Sequence, residues 1–239
     1  RILSSAASDV YKRQYMNSKY NAALGAYEKI KSLEIDDLRI GIGTGSTSDI
    51  FTSSFLKELS SSIEKIYSSS DKTTDHIKRI GLTAEESIPK DKSIDVYIDG
   101  ADEVDKNLNL IKGGGGAHTR EKMLADASKY FICIVDETKM VQQLGNFGIP
   151  VEIMSFGFEN TINKLKTFGS KIEVRNQKSE TGNVIIDLKG VIIEEPDKLE
   201  SEIKKVTGVI EVGIFAKNKP NLLIVGNDKT YKPIDSSIA

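Results

Sequence analysis

The sequence is poor in the residues that build disulfides and metal sites. Its 239 residues include one cysteine, Cys133, and two histidines, His76 and His118. A single cysteine cannot close a disulfide within the chain, so nothing in the sequence indicates an oxidising compartment. Two histidines and one cysteine also leave few ligands for a metal site of the His/Cys type. We therefore expect neither a disulfide scaffold nor a zinc site of that type.

An excess of charge of one sign and long apolar runs are missing as well. Lysine and arginine number 33 against 35 aspartates and glutamates, which gives a net charge of −2. Nucleic-acid-binding and membrane-surface proteins concentrate basic charge, so both classes are disfavoured. No apolar run approaches the roughly 20 residues that a transmembrane helix needs. We expect a soluble, cytoplasmic protein with no nucleic-acid partner and no membrane partner.

The first 15 residues, RILSSAASDVYKRQY, carry neither helix nor strand periodicity, and the first methionine is Met16. They resemble translated adapter sequence, so we leave them out of the fold prediction. The alternative is a genuine disordered or targeting extension. Arg1, Lys12, Arg13 and the serines would suit a transit peptide, which would place the protein in a plastid.

Strands and helices alternate from Met16 to about residue 149. The apolar patterns predict strands at 38–42, 63–67, 93–98, 109–111 and 130–135, and helices at 18–31, 49–59, 72–80 and 117–129. This alternation is typical of a mainly parallel α/β sheet with right-handed crossovers. The polar and glycine-rich loops follow the strands, which places them at the carboxyl edge of the sheet, where such folds bind ligands.

The rhythm changes after Pro150. Strands are predicted at 151–156, 171–175, 184–188 and 209–215, and helices at 159–168 and 196–206. The order β-α-β-β-α-β is that of a ferredoxin-like unit. A last strand at 221–225 could return to the first sheet. Residues 151–220 contain no loop dense in glycine, serine and carboxylates, so we expect the chemistry in the first part of the chain.

The first candidate loop is GIGTGSTS, residues 41–48. Its glycines let backbone N–H groups approach an anion, and a helix N-terminus and three hydroxyls follow. The loop has no lysine, so it is not a P-loop. As a dinucleotide fingerprint it lacks the third glycine, and Asp71 lies 30 residues from Gly41 rather than about 20. An anion site, a dinucleotide site and a plain tight turn all stay open from the residues alone.

The second candidate loop is DGADE, residues 99–103. Three carboxylates within five residues at the end of a buried strand repel one another unless something uses them. They would either face a hydroxylated substrate or, in the structural alternative, cap a following turn through Asp102 or Glu103. A metal site is disfavoured because one carboxylate loop without a partner histidine supplies too few ligands.

The third candidate loop is KGGGG, residues 112–116, followed by a predicted helix that carries Glu121. Four consecutive glycines are costly in chain entropy, and a plain turn needs only one or two. The run therefore suggests backbone packed against a ligand, with Lys112 pointing into the same space. Glu121 would aim at that space as well. The alternative for Glu121 is a charge that stabilises the helix start, or a surface ion pair.

Together the three loops favour one type of reaction. An anion cradle, paired aspartates, a lysine and a glutamate on adjacent loops suit proton transfer next to the carbonyl of a phosphorylated substrate. A base would move a proton between neighbouring carbons, while a cation and backbone N–H groups hold the enediolate oxygen. No histidine triad, nicotinamide or metal is needed for this chemistry.

The motifs resemble those of the type A ribose-5-phosphate isomerase family. They are, in order, RIGIGTGST, YSSSD, YIDGADEVD, LIKGGGGAHTREK, FICIVDETK and NLLIVGN, over roughly residues 19–230. The resemblance implies interconversion of D-ribose 5-phosphate and D-ribulose 5-phosphate through a cis-enediolate, without metal or other cofactor. It also implies a Rossmann-like domain, residues 16–149 plus 221–239, and a ferredoxin-like lid, residues 150–220. A homodimer or homotetramer is expected.

The same resemblance implies roles for individual residues. Thr44, Gly45, Ser46 and Thr47 match the family's substrate and phosphate loop, and Lys139 and Lys19 match further substrate contacts. Asp99, Gly100, Ala101 and Asp102 match the loop that contacts the sugar and assists ring opening. Lys112, Gly113, Gly114 and Gly115 match the segment that stabilises the enediolate, and Glu121 matches the catalytic base.

Two residues near these motifs are assigned to packing. His118 departs from the small or apolar residue usual in this family, and we interpret it as a tolerated, partly buried histidine. Cys133, in the middle of a strand, is assigned to the core. The alternative function is a non-catalytic sugar-phosphate-binding regulator of related fold, which would keep the phosphate loop without the base and the lysine. A nicotinamide-dependent reductase is a third interpretation.

Overall fold

The computed structural model describes residues 5–169 and 171–236. The α-helices are α1 Ser5–Ser32, α2 Ser46–Phe51, α3 Asp71–Arg79, α4 His118–Asp126, α5 Phe158–Leu165 and α6 Pro196–Lys204. The first strands are β1 Leu38–Ile42, β2 Ile63–Ser68, β3 Ile94–Asp99, β4 Glu103–Val104, β5 Leu110–Ile111 and β6 Ser128–Asp136. The later strands are β7 Ile149–Ile153, β8 Lys171–Val174, β9 Val184–Lys189, β10 Val209–Val212, β11 Ile214–Phe215, β12 Leu222–Gly226 and β13 Tyr231–Asp235.

A six-stranded sheet of order β13-β12-β6-β3-β1-β2 forms the centre of the fold. All neighbours in it are parallel except β12 and β13, which confirms the predicted mainly parallel sheet. Strand β12 lies beside β6, so the chain does return to the first sheet near its end. Strand β13 was not predicted, because Pro233 argues against a strand. It is tolerated there because β13 lies at the edge of the sheet.

Helix α1 is longer than predicted. The sequence predicted no regular structure before residue 18, whereas the helix begins at Ser5. No glycine or proline occurs between Ser5 and Leu24, so nothing in the covalent chain interrupts a helix that propagates from its packed half. Ala22, Ala23 and Ala26 are fully buried against the sheet, as the predicted apolar face requires. Residues 1–4 lie outside the described residues.

A separate antiparallel sheet has the order β10-β7-β9-β8. With α5 and α6 it has the predicted β-α-β-β-α-β sequence, and its strand order is that of a ferredoxin-like unit. The fold class is thus the predicted one, a parallel α/β sheet with an inserted α+β unit. The division of the chain into the two domains named above stays a prediction.

The strand predicted at 209–215 is interrupted at Gly213. Strand β10 belongs to the antiparallel sheet, whereas β11 pairs with β5 in a small third sheet of order β11-β5-β4. A Cβ atom on Gly213 would lie 2.3 Å from the carbonyl oxygen of Lys112, so only glycine allows these two segments of the chain to approach this closely. Gly213 accepts a hydrogen bond from Lys112 N–H (2.8 Å) and donates one to Pro150 (2.7 Å). This crossing ties the antiparallel unit to the glycine-rich loop.

The core consists of three apolar clusters. One lies between the central sheet and α1, α2 and α3, a second lies on the other face of that sheet, and the third fills the antiparallel unit. Cys133 is fully buried in the second cluster, as predicted. Within the described part of the chain, no helix combines the length and apolarity needed to cross a membrane.

Candidate active site

A cleft opens at the carboxyl edge of the central sheet, above β1 and β3. The chain runs from β1 to β2 on one side and on to β3 on the other, so this is the point where the strand order reverses and where ligands bind in such folds. Every substrate-binding residue predicted from the sequence except Asp99 lines this cleft. The lining consists of Lys19, Thr44, Gly45, Ser46, Thr47, Gly100, Ala101, Asp102, Lys112, Gly113, Gly114, Gly115, Glu121 and Lys139.

The first loop forms one end of the cleft. Helix α2 begins at Ser46, three residues earlier than predicted, so the hydroxyls of Ser46 and Thr47 belong to its first turn. Gly45 precedes the helix with φ +132°, a conformation that favours glycine. Thr44 Oγ1 lies 2.7 Å from the hydroxyls of both Ser69 and Ser70. The loop thus presents backbone N–H groups and hydroxyls on one side, which suits an anion.

A buried lysine borders this loop. Lys19, on α1, is 6% exposed, and its Nζ donates a hydrogen bond to Ser46 Oγ at 2.5 Å. Lys139, on the 3₁₀ turn Glu137–Lys139 that follows β6, also lines the cleft. Two ammonium groups therefore border the cleft from distant parts of the chain. Positive charge and hydroxyl donors at one end favour a phosphate there.

Lys112 is the buried cation at the centre of the site. Its Nζ lies 2.7 Å from Asp99 Oδ2 and 3.2 Å from Glu121 Oε2, and it donates a hydrogen bond to the carbonyl oxygen of Gly100 at 2.5 Å. Burial opposes a charge on this ammonium, but the two carboxylates more than offset that effect, and the pKa of Lys112 is raised. The side chain is thus held as a cation away from solvent.

Asp99 lies beneath the floor of the cleft and is fully buried. Besides its ion pair with Lys112, it accepts hydrogen bonds from Tyr97 Oη and from Gly100 N–H (2.7 Å). A Cβ atom on Gly43 would lie 1.9 Å from this carboxyl group, so the first loop can pass over Asp99 only because residue 43 is glycine. The carboxylate therefore lies between the first loop and Lys112.

Glu121 occupies the first turn of α4 and is 2% exposed. Burial is the main reason that its pKa is raised to about 8, and the neighbouring Asp99 adds to the shift, whereas Lys112 opposes it. A carboxylate that titrates near neutral pH inside a cleft has the properties of a general base. The burial of Glu121 argues against both structural alternatives, a solvent-exposed charge at the helix start and a surface ion pair.

Asp102 faces the glycine-rich loop across the cleft. It accepts a hydrogen bond from Gly114 N–H at 2.8 Å, and burial raises its pKa. A Cβ atom on Gly114 would lie 2.6 Å from Asp102 Oδ1, so the close approach requires glycine. The turn-capping alternative applies instead to Glu103, which accepts the N–H groups of Gly145 and Phe147, each at 2.6 Å.

His118 is not partly buried, as predicted, but has no exposed surface at all. It sits beneath the glycine-rich loop, where a Cβ atom on Gly113 would lie 2.7 Å from its Nδ1. Neither ring nitrogen has a hydrogen-bond partner among the described residues, and burial lowers the pKa of His118 to about 4. The full burial comes from the packing of the first turn of α4 beneath the glycine-rich loop, which the predicted helix bounds do not reveal.

Arg175 is a residue near the site that the sequence did not indicate. It follows β8 in the antiparallel unit, where no chemistry was expected, and its Nη1 donates hydrogen bonds to the carbonyl oxygens of Gly113 (2.7 Å) and Gly114 (3.1 Å). An isolated arginine after a strand carries no sequence signal for such a contact. No group of three or more His, Cys, Asp or Glu side chains suited to a metal ion occurs in residues 5–169 and 171–236.

Comparisons with known proteins agree on one family. The family model described as Ribose 5-phosphate isomerase A (phosphoriboisomerase A) matches residues 65–230. A Ribose-5-phosphate isomerase A of Neisseria meningitidis serogroup C, strain 053442, is 40% identical over 210 residues, which is 87% of this chain and 93% of that protein.

Two solved structures are similar over almost the whole chain. The crystal structure of ribose 5-phosphate isomerase A from Neisseria gonorrhoeae has a TM-score of 0.84 and 38% sequence identity, and covers 93% of this chain and 97% of its own. A D-ribose-5-phosphate isomerase in complex with phospho-erythronic acid has a TM-score of 0.82 and 33% identity, and covers 92% and 99%.

Proposed function

The chain belongs to the ribose 5-phosphate isomerase A family, and from this premise we propose that it interconverts D-ribose 5-phosphate and D-ribulose 5-phosphate through a cis-enediolate. This aldose–ketose isomerisation belongs to the non-oxidative pentose phosphate pathway. The observation that carries the proposal is the pairing of Glu121 and Lys112, 3.2 Å apart and shielded from solvent, in a cleft that ends in an anion-binding loop.

The phosphate of the substrate would bind at the loop Thr44–Thr47. The hydroxyls and backbone N–H groups there, together with Lys19 and Lys139, offer donors and positive charge to a dianion. Binding the phosphate at this end directs the sugar carbons towards Lys112 and Glu121, at the other end. The phosphate does not react, so its binding energy serves to position the reacting carbons.

Ring opening precedes the proton transfer, because the cyclic sugar has no free carbonyl group. Asp102 and Asp99 are the carboxyl groups on the loop that would contact the sugar hydroxyls. The raised pKa of Asp102 suits a group that takes up and returns a hydroxyl proton.

Glu121 would then remove the proton from carbon 2 of the open chain and return it to carbon 1, while the hydroxyl proton on the carbon-2 oxygen passes to the carbon-1 oxygen. A single carboxylate can do both on one face of the planar enediolate. Lys112 would stabilise the negative charge that develops on the oxygen, and the backbone N–H groups of the glycine-rich loop would add to this. Protein side chains and backbone groups perform every step of this reaction, so the proposed mechanism needs no cofactor.

The alternative of a non-catalytic regulator is less well supported. A sensor needs the phosphate loop but has no use for a buried glutamate of raised pKa beside a buried lysine, and burying both costs free energy. The phosphopentose substrate fits the family. The homodimeric or homotetrameric assembly, the lid role of residues 150–220 and the cytoplasmic location stay predictions.

The first test is an isomerase assay of the purified protein with ribose 5-phosphate, before and after prolonged treatment with a strong chelator. We expect turnover in both cases, because Lys112 supplies the positive charge that a metal would otherwise provide. A loss of activity that added Mn²⁺ or Zn²⁺ restores would contradict the lysine-based mechanism. Absence of any turnover in the untreated protein would contradict the proposed function itself.

A further inference from the structure

Arg175 is joined to the glycine-rich loop and to its own sheet at the same time. Its Nε and Nη2 donate to the two carboxylate oxygens of Asp187 on β9 at 2.7 and 2.6 Å, a bidentate pair. The remaining Nη1 donates to the carbonyl oxygens of Gly113 and Gly114. The side chains of Arg175 and Asp187 are 18% and 12% exposed, so this bridge is largely shielded from solvent.

The two carbonyl groups that Arg175 holds belong to the peptide groups that face the cleft. In a trans peptide group, C=O and N–H point in opposite directions. The carbonyl of Gly113 therefore fixes the N–H of Gly114, which donates to Asp102 at 2.8 Å. The carbonyl of Gly114 fixes the N–H of Gly115 in the same way.

Gly115 N–H has no acceptor among the described residues, although Gly115 lines the cleft. A backbone N–H that is oriented by its carbonyl and left without a protein acceptor is a donor available to a ligand. Glycines have few conformational restraints of their own, and Gly113 and Gly116 have φ values of +107° and +80°. The carbonyl of Gly113 also accepts a turn hydrogen bond from Gly116 N–H (3.0 Å), whereas the peptide group between Gly114 and Gly115 has no other hydrogen bond among the described residues. Arg175 is therefore the external constraint on that second peptide group and adds to the constraint on the first.

We propose that Arg175, held by Asp187, is a positioning residue that turns the peptide groups of Gly113 and Gly114 so that the N–H groups of Gly114 and Gly115 serve Asp102 and the enediolate oxygen. The proposal rests on the isomerase function proposed above. Arg175 acts through the loop and does not touch the substrate. Its loss should therefore reduce turnover far more than substrate binding, since the phosphate loop is unchanged.

A lysine cannot replace this arginine. The planar guanidinium donates to a carboxylate through one edge while a further N–H reaches the carbonyls, whereas an ammonium is a point charge that cannot keep both geometries. Arg175→Lys should keep the charge and lose the orientation. A role limited to charge or to general stability would be rescued by that substitution.

The test is steady-state kinetics of Arg175→Ala and Arg175→Lys with ribose 5-phosphate, with Arg39→Ala as the matched control. Arg39 pairs with Glu64 at the amino end of β1, away from the cleft, so its loss removes a similar ion pair without touching the loop. For both Arg175 variants we expect kcat to fall about 10- to 100-fold, less than the roughly 10²- to 10³-fold known for removal of an oxyanion donor because the N–H groups remain and lose only their orientation, with KM changed about threefold at most. Added guanidinium ion should restore part of the turnover of Arg175→Ala.

The outcomes separate the two proposals. An inactive wild type would contradict the isomerase function, whereas an active wild type with an Arg175→Ala variant as active as Arg39→Ala would overturn only the role of Arg175. Full activity of Arg175→Lys would also overturn it, as would a rise in KM without a fall in kcat. If a variant melts below the assay temperature, the deciding measurement is guanidinium rescue of the folded variant at a lower temperature. No rescue there would count against the proposal.

Discussion

Three buried ionisable side chains share the centre of the cleft, and their charges cannot all be balanced. One ammonium, on Lys112, lies beside two carboxyl groups, those of Asp99 and Glu121. Asp99 is the closer, at 2.7 against 3.2 Å, and it accepts further hydrogen bonds, whereas Glu121 Oε2 has no hydrogen-bond partner among the described residues. The excess proton therefore favours Glu121, the carboxyl group that is proposed to receive one during catalysis.

This arrangement predicts the pH dependence of the reaction. A base acts only when deprotonated, and the pKa of Glu121 is raised to about 8, so kcat/KM should rise with pH and level off above that value. The second pKa of the substrate phosphate is about 6, so the phosphate cannot produce an inflection near the pKa of Glu121. The measurement is the pH profile of kcat/KM between about pH 6 and 9.5, which reports the pKa values of the free enzyme. A profile that is flat across this interval, or that falls as pH rises through 8, would contradict the prediction.

Most of the candidate residues could be predicted from sequence because they lie in glycine-rich or carboxylate-rich loops next to predicted strands. The first two loops adjoin β1 and β3 of the parallel sheet, whereas the glycine-rich loop follows β5 of the small antiparallel sheet. The chain order alone places loops at the carboxyl edge, and the glycine and carboxylate content of those loops indicates chemistry. Arg175 could not be predicted in this way. Its contact with Gly113 depends on how the antiparallel unit folds over the central sheet, between residues 62 positions apart. The full burial of His118 depends on packing around α4 and was missed for the same reason.

At the scale of elements, the position of helix α4 depends on its contacts with the antiparallel unit. It carries Glu121, and three of its other side chains reach the antiparallel unit or its loops. Thr119 donates to Glu152 (2.5 Å), Arg120 donates to the carbonyl of Glu180 (2.8 Å), and Lys122 pairs with Glu200 (2.7 Å) and Glu211 (3.0 Å). Helix α4 is thus anchored to β7, α6 and β10, so the inserted unit contributes to the geometry of the site.

Glu152 is the most heavily bonded of these anchors. It is fully buried on β7 and accepts hydrogen bonds from Thr119, Ser179, Thr181 and Asn183. Burial opposes its charge, but the four donors more than offset this and lower the pKa of Glu152. Glu152 accepts hydrogen bonds from both α4 and the turn before β9, so it links these two parts of the chain.

Replacing this anion should destabilise the fold. Glu152→Gln keeps the shape but exchanges charge-assisted hydrogen bonds for neutral ones, and we expect a loss of about 1 to 3 kcal/mol in the free energy of unfolding. Because the folded pKa is lowered, the carboxylate stabilises the fold above the unfolded pKa, about 4.3, and that contribution is lost as pH falls through the folded pKa. The measurement is denaturant unfolding of both proteins at pH 7 and near pH 4. Equal stability at pH 7, or a difference that grows on acidification, would contradict the role of Glu152.

For the molecule as a whole, the sequence predicted the parallel sheet, the inserted unit and the return of the chain at β12. These features follow from local periodicity and from the order of elements. Strands at 109–111 and 209–215 were predicted, but their pairing with β4 in the small sheet β11-β5-β4, which joins the two units, was missed. Pairing between two-residue strands far apart in the chain leaves no local pattern in the sequence. Strand β13 and the early start of α1 were missed because each depends on its position at an edge or on propagation from a packed segment.

The central claim is that Glu121 moves a proton between carbons 1 and 2 of the sugar. NMR of the exchange of the carbon-2 hydrogen of ribose 5-phosphate with solvent deuterium measures this step. Glu121→Gln should slow the exchange by at least about 10² to 10⁴-fold, as expected for loss of a general base, with substrate affinity little changed. Glu159→Gln is the matched control, since Glu159 is an exposed glutamate in the first turn of α5. We expect undiminished exchange in that control and near-complete loss in Glu121→Gln, whereas undiminished exchange in Glu121→Gln would show that Glu121 is not the base.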